Sequence, residues 1–400
     1  LTLRLLSLST LYPAPPRPGF GRFVRNQMEA LARRGDWQVT VINPIGLPPL
    51  PAALLARTRY AALAGIPSIE AGEAITVHHP RFALLPGLSG RFNPALIAAS
   101  VLPLARRLHA ETPFDMVDAQ FFYPDGPAAA RIARDLGLPL AIKARGGDIL
   151  HWGMQPAARA QIIAAGDQAR VMLAVSAALA RDMAGIGLDA GRITVHYTGL
   201  DHSRFYPRPR DEARAELNRR LPALALPAHG RIIASVGALI AIKGHALAID
   251  ALAQVPDDVV LVLAGTGPDQ AALRAQAARL GLAERVILAG ALGHDDLPLL
   301  LAASSAMVLA SSREGIANAW IEALASGAPL VIPDVGGARE VIDSGVAGRL
   351  VERNAEAIAA GLNAVLAENA DPAVVARIAE RFSWDNNAAR LAEIYRAAIG

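Results

Sequence analysis

Ser311-Ser312-Arg313-Glu314-Gly315-Ile316-Ala317-Asn318-Ala319-Trp320-Ile321-Glu322 reads as a strand-to-helix junction. The apolar run Ala306–Leu309 just before it is a buried-strand candidate. A Ser/Gly loop follows, and helical spacing runs over Ala317–Ala325. A helix start presents unpaired N–H groups and the positive end of its dipole, so it attracts phosphate and hydroxyl oxygens. Glu314 sits in the loop at that mouth, and Glu322 lies about two turns on, near the same face. Two ionised carboxylates so placed accept hydrogen bonds from a vicinal diol. Alone, the pair reads equally as a helix cap followed by a surface glutamate.

The same strand–loop–helix unit recurs in both directions from this junction. In the second half, Ile232–Val236, Val259–Leu263, Val286–Leu288 and Pro329–Ile332 read as strands. His245–Leu252, Asp269–Leu280 and Asp295–Ala303 read as helices between them. In the first half the strands are Leu3–Ser9, Trp37–Ile42, Met116–Ala119, Leu140–Lys143, Val171–Val175 and Ile193–His196. Helices are expected over Phe20–Arg34, Gly126–Leu136 and Pro156–Ala165, and irregular loops over Pro44–Gly90. Strands alternating with helices predict parallel sheets. The expected fold class is α/β: two tandem Rossmann-like domains with an inter-domain cleft, and ligands beyond the carboxyl ends of the strands. The expected domains are 1–198 with a closing helix 384–400, and 199–383.

Composition narrows the function classes. The hydrophobic fraction of 53% is ample for two cores, and with no cysteine the chain has neither disulfides, thiolate zinc sites nor a cysteine nucleophile. Residues 1–200 hold 20 Lys/Arg against 13 Asp/Glu, so the first half is basic. An anionic partner is expected there, either a phosphate or a lipid surface met by Arg22, Arg25, Arg106 and Arg107. Scatter in an arginine-rich chain reads the same way. No stretch approaches the ~20 apolar residues needed to cross a bilayer, and Leu1–Thr10 reads as a strand, not a signal peptide. Pro94–Ala105 reads as a buried or interfacial helix. No partner of nucleic-acid type is indicated.

Four further strand-end loops carry candidate chemistry. Gly237-Ala238-Leu239 leads to Lys243-Gly244, which sets one lysine, a point-charge partner for phosphate, at a helix start. Gly265-Thr266-Gly267-Pro268 allows close backbone approach. Pro18-Gly19-Phe20-Gly21 would admit a diphosphate to the first helix start. Arg145-Gly146-Gly147-Asp148 places a charge of each sign after a strand. Each is also an ordinary turn when taken singly. All five loops fall at carboxyl ends of predicted strands.

As an ordered set these residues resemble the retaining glycosyltransferases of the GT-B fold, family 4. The likeness covers nearly the whole chain and is weakest over 44–110. It is carried by Val236-Gly237…Lys243-Gly244, Ala264-Gly265-Thr266-Gly267-Pro268, Val286…Gly290, Glu314-Gly315…Glu322 through Gly327, and Gly336-Gly337…Glu340. Phe382-Ser383-Trp384 through Tyr395 is similar to the family's closing helix.

The resemblance implies an enzyme moving a hexosyl unit from a UDP- or GDP-sugar to a hydroxyl of a glycan or lipid-diphosphate-linked acceptor. It implies cell-surface polysaccharide assembly, in the cytoplasm and at the inner membrane face. Glu314 would hold donor-sugar hydroxyls and Glu322 the nucleotide ribose. Lys243 would pair with the diphosphate, helped by N–H groups near Gly21 and at Gly315–Ile316. The base would lie along Ala289–Leu292, including Ala291 and Leu292. Gly237, Gly265 and Gly267 belong to the donor loops. Arg145 and Asp148, with Glu314, would serve the reacting centre.

No Asp-x-Asp sequence occurs, so no metal or other cofactor is expected, and no double-displacement nucleophile is nominated beyond Asp148 as the nearest carboxylate. Two departures stand out. Arg145 replaces the family's usual histidine, and Ala238 the usual arginine of the phosphate loop; Arg145 is a candidate to replace the charge Ala238 lacks. A sugar-nucleotide epimerase and a non-catalytic nucleotide-sugar-binding homologue remain open on the residues alone.

Overall fold

Buried apolar strands alternating with helices give two separate α/β units in the computed structural model, which describes all residues except Leu1, Arg59, Leu88 and His294. The first residue of the expected Leu1–Thr10 strand therefore lies outside the described residues, as do two positions of the expected 44–90 loop region. One unit comprises Leu1–Gly199 with Trp384–Gly400, and the other Leu200–Ser383.

The strands of the first unit are β1 (Leu3–Leu8), β2 (Trp37–Ile42), β3 (Ile45–Leu47), β4 (Ile69–Ala71), β5 (Ile75–His78), β6 (Arg81–Ala83), β7 (Met116–Ala119), β8 (Leu140–Ala144), β9 (Val171–Ala174) and β10 (Ile193–Val195). Eight of them form one sheet in the order β10-β9-β8-β7-β1-β2-β5-β4. All pairs in it are parallel except β4 with β5. The chain winds outward from β1 through β2 and returns through β7, so β1 and β7 are neighbours whose loops diverge. Such a switch point opens a crevice at the strands' carboxyl ends.

The second unit holds β11 (Arg231–Val236), β12 (Val259–Ala264), β13 (Val286–Gly290), β14 (Ala306–Val308), β15 (Leu330–Pro333) and β16 (Gly348–Val351), all parallel in the order β13-β12-β11-β14-β15-β16. This is the doubly wound order with its switch point between β11 and β14. The six residues of β12, Val-Val-Leu-Val-Leu-Ala, are all buried, as a parallel strand covered by helices on both faces requires.

Three readings need correction. The stretch 44–90 is not merely irregular. It contains β3 to β6, and Ile75-Thr76-Val77-His78 extends the main sheet beside β2. Short β-branched segments between prolines carry too little periodicity to be read as strands. Likewise β16 escaped notice, because Gly348-Arg349-Leu350-Val351 is an edge strand of mixed polarity. The first helix begins at Arg22, not Phe20. Gly21 precedes it at φ 70°, and a Cβ there would lie 2.4 Å from the Leu11 carbonyl oxygen, so only glycine fits that helix start.

Asn93–Glu111 is one helix, whose buried residues include Ile97, Val101 and Ala105. No helix among the described residues is long and apolar enough to cross a membrane. The final helix, Trp384–Ile399, buries Leu391, Ala392 and Tyr395 in the same core as β1, β2 and the first helix. Tyr395 meets Trp37 edge-to-face with ring centroids 5.9 Å apart.

Candidate functional site

In the second unit the loops that follow β11, β12, β13 and β14 are stitched to one another. Leu239 N–H donates to the Thr266 carbonyl at 2.9 Å, Gly265 N–H to Gly290 at 2.7 Å, and Ser312 N–H to Ile242 at 2.9 Å. Glycine makes this spacing attainable. A Cβ on Gly265 would lie 1.9 Å from the Gly237 carbonyl oxygen, and one on Gly267 2.2 Å from that of Leu239. A Cβ on Gly244 would lie 2.1 Å from the Ala310 carbonyl oxygen, so the turn carrying Lys243 presses directly on the end of β14.

That contact brings Lys243 to Glu314. Lys243 Nζ lies 2.5 Å from Glu314 Oε1, and Ser311 Oγ donates to the same oxygen at 2.7 Å. The pair sits at the β11/β14 switch point. An ammonium has three N–H donors, and Glu314 takes one of them. Gly315 and Ile316 follow at the mouth of the helix Asn318–Ala325, whose start has no side-chain cap. Lys243, Glu314, Gly315 and Ile316 are thus brought together, with Gly237 beneath the lysine stem at 3.6 Å from a notional Cβ. Ala291 and Leu292 follow β13, with Ala291 exposed and Leu292 resting on the core.

The Glu314 loop is held from the other side by Gly336 and Gly337. Gly337 N–H donates to the Gly315 carbonyl at 2.7 Å. A Cβ on Gly336, at φ 53°, would come 1.9 Å from the Glu314 carbonyl oxygen. Gly336→Ala is therefore expected to displace Glu314 and lower kcat about 10-fold or more, since sub-ångström misplacement of positioning groups is costly. The fold should survive with a loss of about 1–3 kcal/mol. Crystal or NMR comparison of the 311–316 loop, alongside kcat, checks this; an unmoved loop with full activity would refute it.

Glu322 stands one helix turn in from the start of that helix. It is partly exposed as a residue, yet burial of its carboxyl pushes the pKa up from 4.5 to about 7, with no opposing charge among the described residues. A raised carboxyl contributes stability that is full below the unfolded value of 4.5 and lost as pH rises through about 7. Glu322→Gln removes that loss. The variant should unfold at higher denaturant than wild type at pH 8, by about 1–3 kcal/mol, and match it near pH 4.5. Urea titrations at the two pH values test this, and an equal difference at both would overturn it.

His245, next to Gly244, was missed by sequence reasoning. It is buried, with Nδ1 2.9 Å from Ser235 Oγ and Nε2 3.2 Å from the Ala238 carbonyl oxygen, and burial lowers its pKa. It anchors the Gly237–Lys243 loop, and its position directly after Lys243-Gly244 was the available signal.

The first unit places Arg145 and Asp148 after β8, but in unlike roles. Asp148 is fully buried and accepts from the N–H groups of Phe122 (2.7 Å), Gly146 (2.8 Å), Arg145 (3.0 and 3.1 Å) and Ile149 (3.2 Å). Burial raises its pKa against those bonds. Both oxygens are committed to backbone, so the carboxylate shapes the loop, and its geometry is not that of a free nucleophile.

Arg145 donates from Nε to the Gln120 carbonyl (3.2 Å) and from Nη2 to Gln120 Oε1 (2.6 Å) and Gln27 Oε1 (3.3 Å), and it stacks on Phe23 at 5.0 Å. Nη1 donates to no described residue, which leaves two N–H groups for an anion. Burial lowers its pKa to about 10, so it stays charged at neutral pH. Gly21 lies at the head of the helix that supplies Gln27 and Phe23.

Beneath Arg145 runs a buried network. Lys143 Nζ donates to Gln27 Oε1 (2.9 Å) and reaches His196 Nδ1 (2.6 Å), while His196 Nε2 faces the Asn387 carbonyl (2.9 Å). The carbonyl requires a proton on Nε2, so Nδ1 accepts from the lysine and the ring is neutral. Burial drives both pKa values well down. Asp118 accepts from Tyr395 Oη (2.6 Å) and Gln120 Nε2 (2.5 Å), and burial raises its pKa. Of the basic residues proposed to meet lipid, Arg25, Arg106 and Arg107 are paired with Glu29, Asp135 and Glu111, while Arg22 is exposed.

A doubly wound unit with a lysine–glutamate pair and an uncapped helix mouth at its switch point is built to hold a ligand bearing phosphate and hydroxyl groups. Residues 220–382 match the model for Glycosyl transferases group 1, and residues 18–204 that for Glycosyltransferase Family 4. The chain belongs to glycosyltransferase family 4, of the GT-B fold. It is 28% identical over 338 residues (84% of this chain, 82% of the relative) to TuaC of Bacillus subtilis, which carries the name of a teichuronic acid biosynthesis glycosyltransferase. It is 29% identical over 343 residues (80% and 83%) to the GDP-mannose-dependent alpha-(1-6)-phosphatidylinositol monomannoside mannosyltransferase of Mycobacterium tuberculosis. Among solved structures, Anabaena HepE in complex with UDP superposes with a TM-score of 0.73 over 99% of this chain and 100% of that one, at 23% identity. The chain is a hexosyltransferase, and the comparisons give the epimerase alternative no support.

Proposed function

We propose that this chain transfers a hexosyl unit, with retention and without a metal, from a UDP- or GDP-sugar to a hydroxyl of a glycan or lipid-diphosphate-linked acceptor in cell-surface polysaccharide assembly. The observation that carries the reading is the Lys243–Glu314 pair beside an uncapped helix start. Lys243 and the loop N–H groups at Gly315–Ile316, just before the helix start, would take the leaving diphosphate, supplying charge that a metal supplies elsewhere. Glu314 would accept from donor-sugar hydroxyls, and Glu322 from the ribose diol, which favours its ionised form. Residues 199–383 would hold the donor, with the base along Ala291–Leu292. Residues 1–198 with 384–400 would serve the acceptor, where the Nη1 face of Arg145 meets an anionic or hydroxyl group and Asp148 keeps that loop in shape. The relatives' names, one for teichuronic acid and one for a phosphatidylinositol mannoside, support an anionic or lipid-borne acceptor at the inner membrane face.

The test is incubation of the purified chain with UDP- and GDP-sugars and an acceptor panel drawn from lipid-linked and soluble glycans. Nucleoside diphosphate released only with acceptor, together with an α-linked product from an α-linked donor, supports the reading. An inverted product, or an absolute need for added Mg²⁺, counts against it.

A further inference from the structure

The first unit contains a cavity of about 390 Å³ that none of the residues above explains. It lies between the loop after β1, one face of the first helix and β4. Pro13, Pro15 and Pro18 give it a flat apolar wall. Opposite stand Arg22, Arg25, Asn26 and Glu29, spaced to share one helix face, and Glu70 of β4. Beside it is a polar group with nothing to bond. Tyr12 is fully buried, yet its hydroxyl has no hydrogen-bond partner among the described residues. Pro13 and Ala14, its chain neighbours, line the cavity, and the charges of Arg25, Glu29 and Glu70 act on that hydroxyl. One Glu70 oxygen is also without a hydrogen bond among the described residues, with the buried His79 Nε2 3.4 Å away. A buried, unbonded hydroxyl carries a desolvation cost that a hydrogen bond to a ligand's hydroxyl would offset.

We infer that this cavity is a subsite for a saccharide bearing an anionic substituent, and that it receives part of the acceptor. Two carboxylates and an amide opposite a proline wall match the alternating hydroxyls and apolar C–H face of one sugar ring, with Tyr12 next in the chain to the Pro13–Ala14 edge. Arg22, exposed and unpaired among the described residues at the rim, matches the anionic group. The size suits one ring with its substituent. Arg22 follows Gly21 directly, and Glu29 is about 10 Å further along the helix, so a bound ring would have one end near Gly21. The inference rests on the transferase reading for its biological role, but the subsite itself is measured separately.

The experiment titrates the whole chain with glucose 6-phosphate, with glucose and with inorganic phosphate by ligand-observed NMR. In parallel it measures flotation with vesicles of 30% phosphatidylinositol in phosphatidylcholine against pure phosphatidylcholine. UDP and GDP titrations of the same samples report the donor site. Tyr12→Phe, Asn26→Ala and Glu70→Gln are the variants; the latter two lie at the cavity surface and guard against a folding effect of the first. The expected result is binding of glucose 6-phosphate above glucose and phosphate, weakened about fivefold or more by each variant, with nucleotide affinity unchanged. Vesicle binding lost in the same variants, without binding of the free sugar phosphate, supports the subsite and assigns it to a lipid headgroup. Absence of binding in both arms overturns the inference, as does binding indifferent to the variants or loss of nucleotide affinity alongside. Failure of nucleotide binding in the wild type would sink the transferase reading while leaving the saccharide result standing.

Discussion

Glu314→Ala is expected to lower the transfer rate about 100-fold, because it removes the group proposed to fix the donor sugar against the acceptor. Affinity for free UDP or GDP should stay the same or rise. Glu314 takes one N–H of Lys243 at 2.5 Å, and its removal leaves all three N–H groups to the diphosphate. Lys243→Ala should do the opposite. It costs a charge-assisted phosphate contact, roughly 1.5–3 kcal/mol, or about 10- to 100-fold in nucleotide affinity. Stability should hardly move in either variant, since the side chains are 23% and 12% exposed and such partly solvated pairs contribute about 1 kcal/mol or less. Calorimetric titration and steady-state kinetics on the two variants and their double combination separate the roles. Full activity in Glu314→Ala, or unchanged nucleotide binding in Lys243→Ala, refutes the assignment.

The loops that carry this pair were legible because each depends on neighbours in the chain. A strand end, a glycine and a helix start are all local signals, so the chain alone places Lys243 and Glu314 at helix mouths. What brings them into contact was not local. Gly244 against Ala310 and Gly336 against Glu314 are close approaches between loops 66 and 22 residues apart by number, and spacing along the chain says nothing of them. The same limit explains Asp148. The chain offers it only as a charge in a strand-end loop, while Phe122, 26 residues earlier, supplies one of the N–H groups that occupy it. Lys143 ended a predicted apolar strand, and a lysine there was a signal of a buried cation. Its partners Gln27 and His196 lie 116 and 53 positions away.

That network carries the largest expected effect on stability. Asp118 is joined to Tyr395 across 277 residues, which ties the last helix to the end of β7, and through Gln120 it reaches Arg145. Asp118→Ala leaves the buried Tyr395 hydroxyl and Gln120 amide without their acceptor, at about 1–3 kcal/mol each, and removes the carboxylate whose charge acts on Lys143. Tyr395→Phe removes only one donor to Asp118 and should cost about 1–2 kcal/mol. The network also makes a kinetic claim. Gln120 holds the Nε and Nη2 side of Arg145 and turns the Nη1 face outward, so Tyr395→Phe should lower kcat through Arg145 without touching donor affinity. Combined with Arg145→Ala it should add little, because residues in one network are not additive. Urea unfolding and kinetics of the two single variants and the double variant decide the matter. Additive losses in kcat would mean that Tyr395 acts on the fold alone, and that the closing helix has no part in aiming the guanidinium.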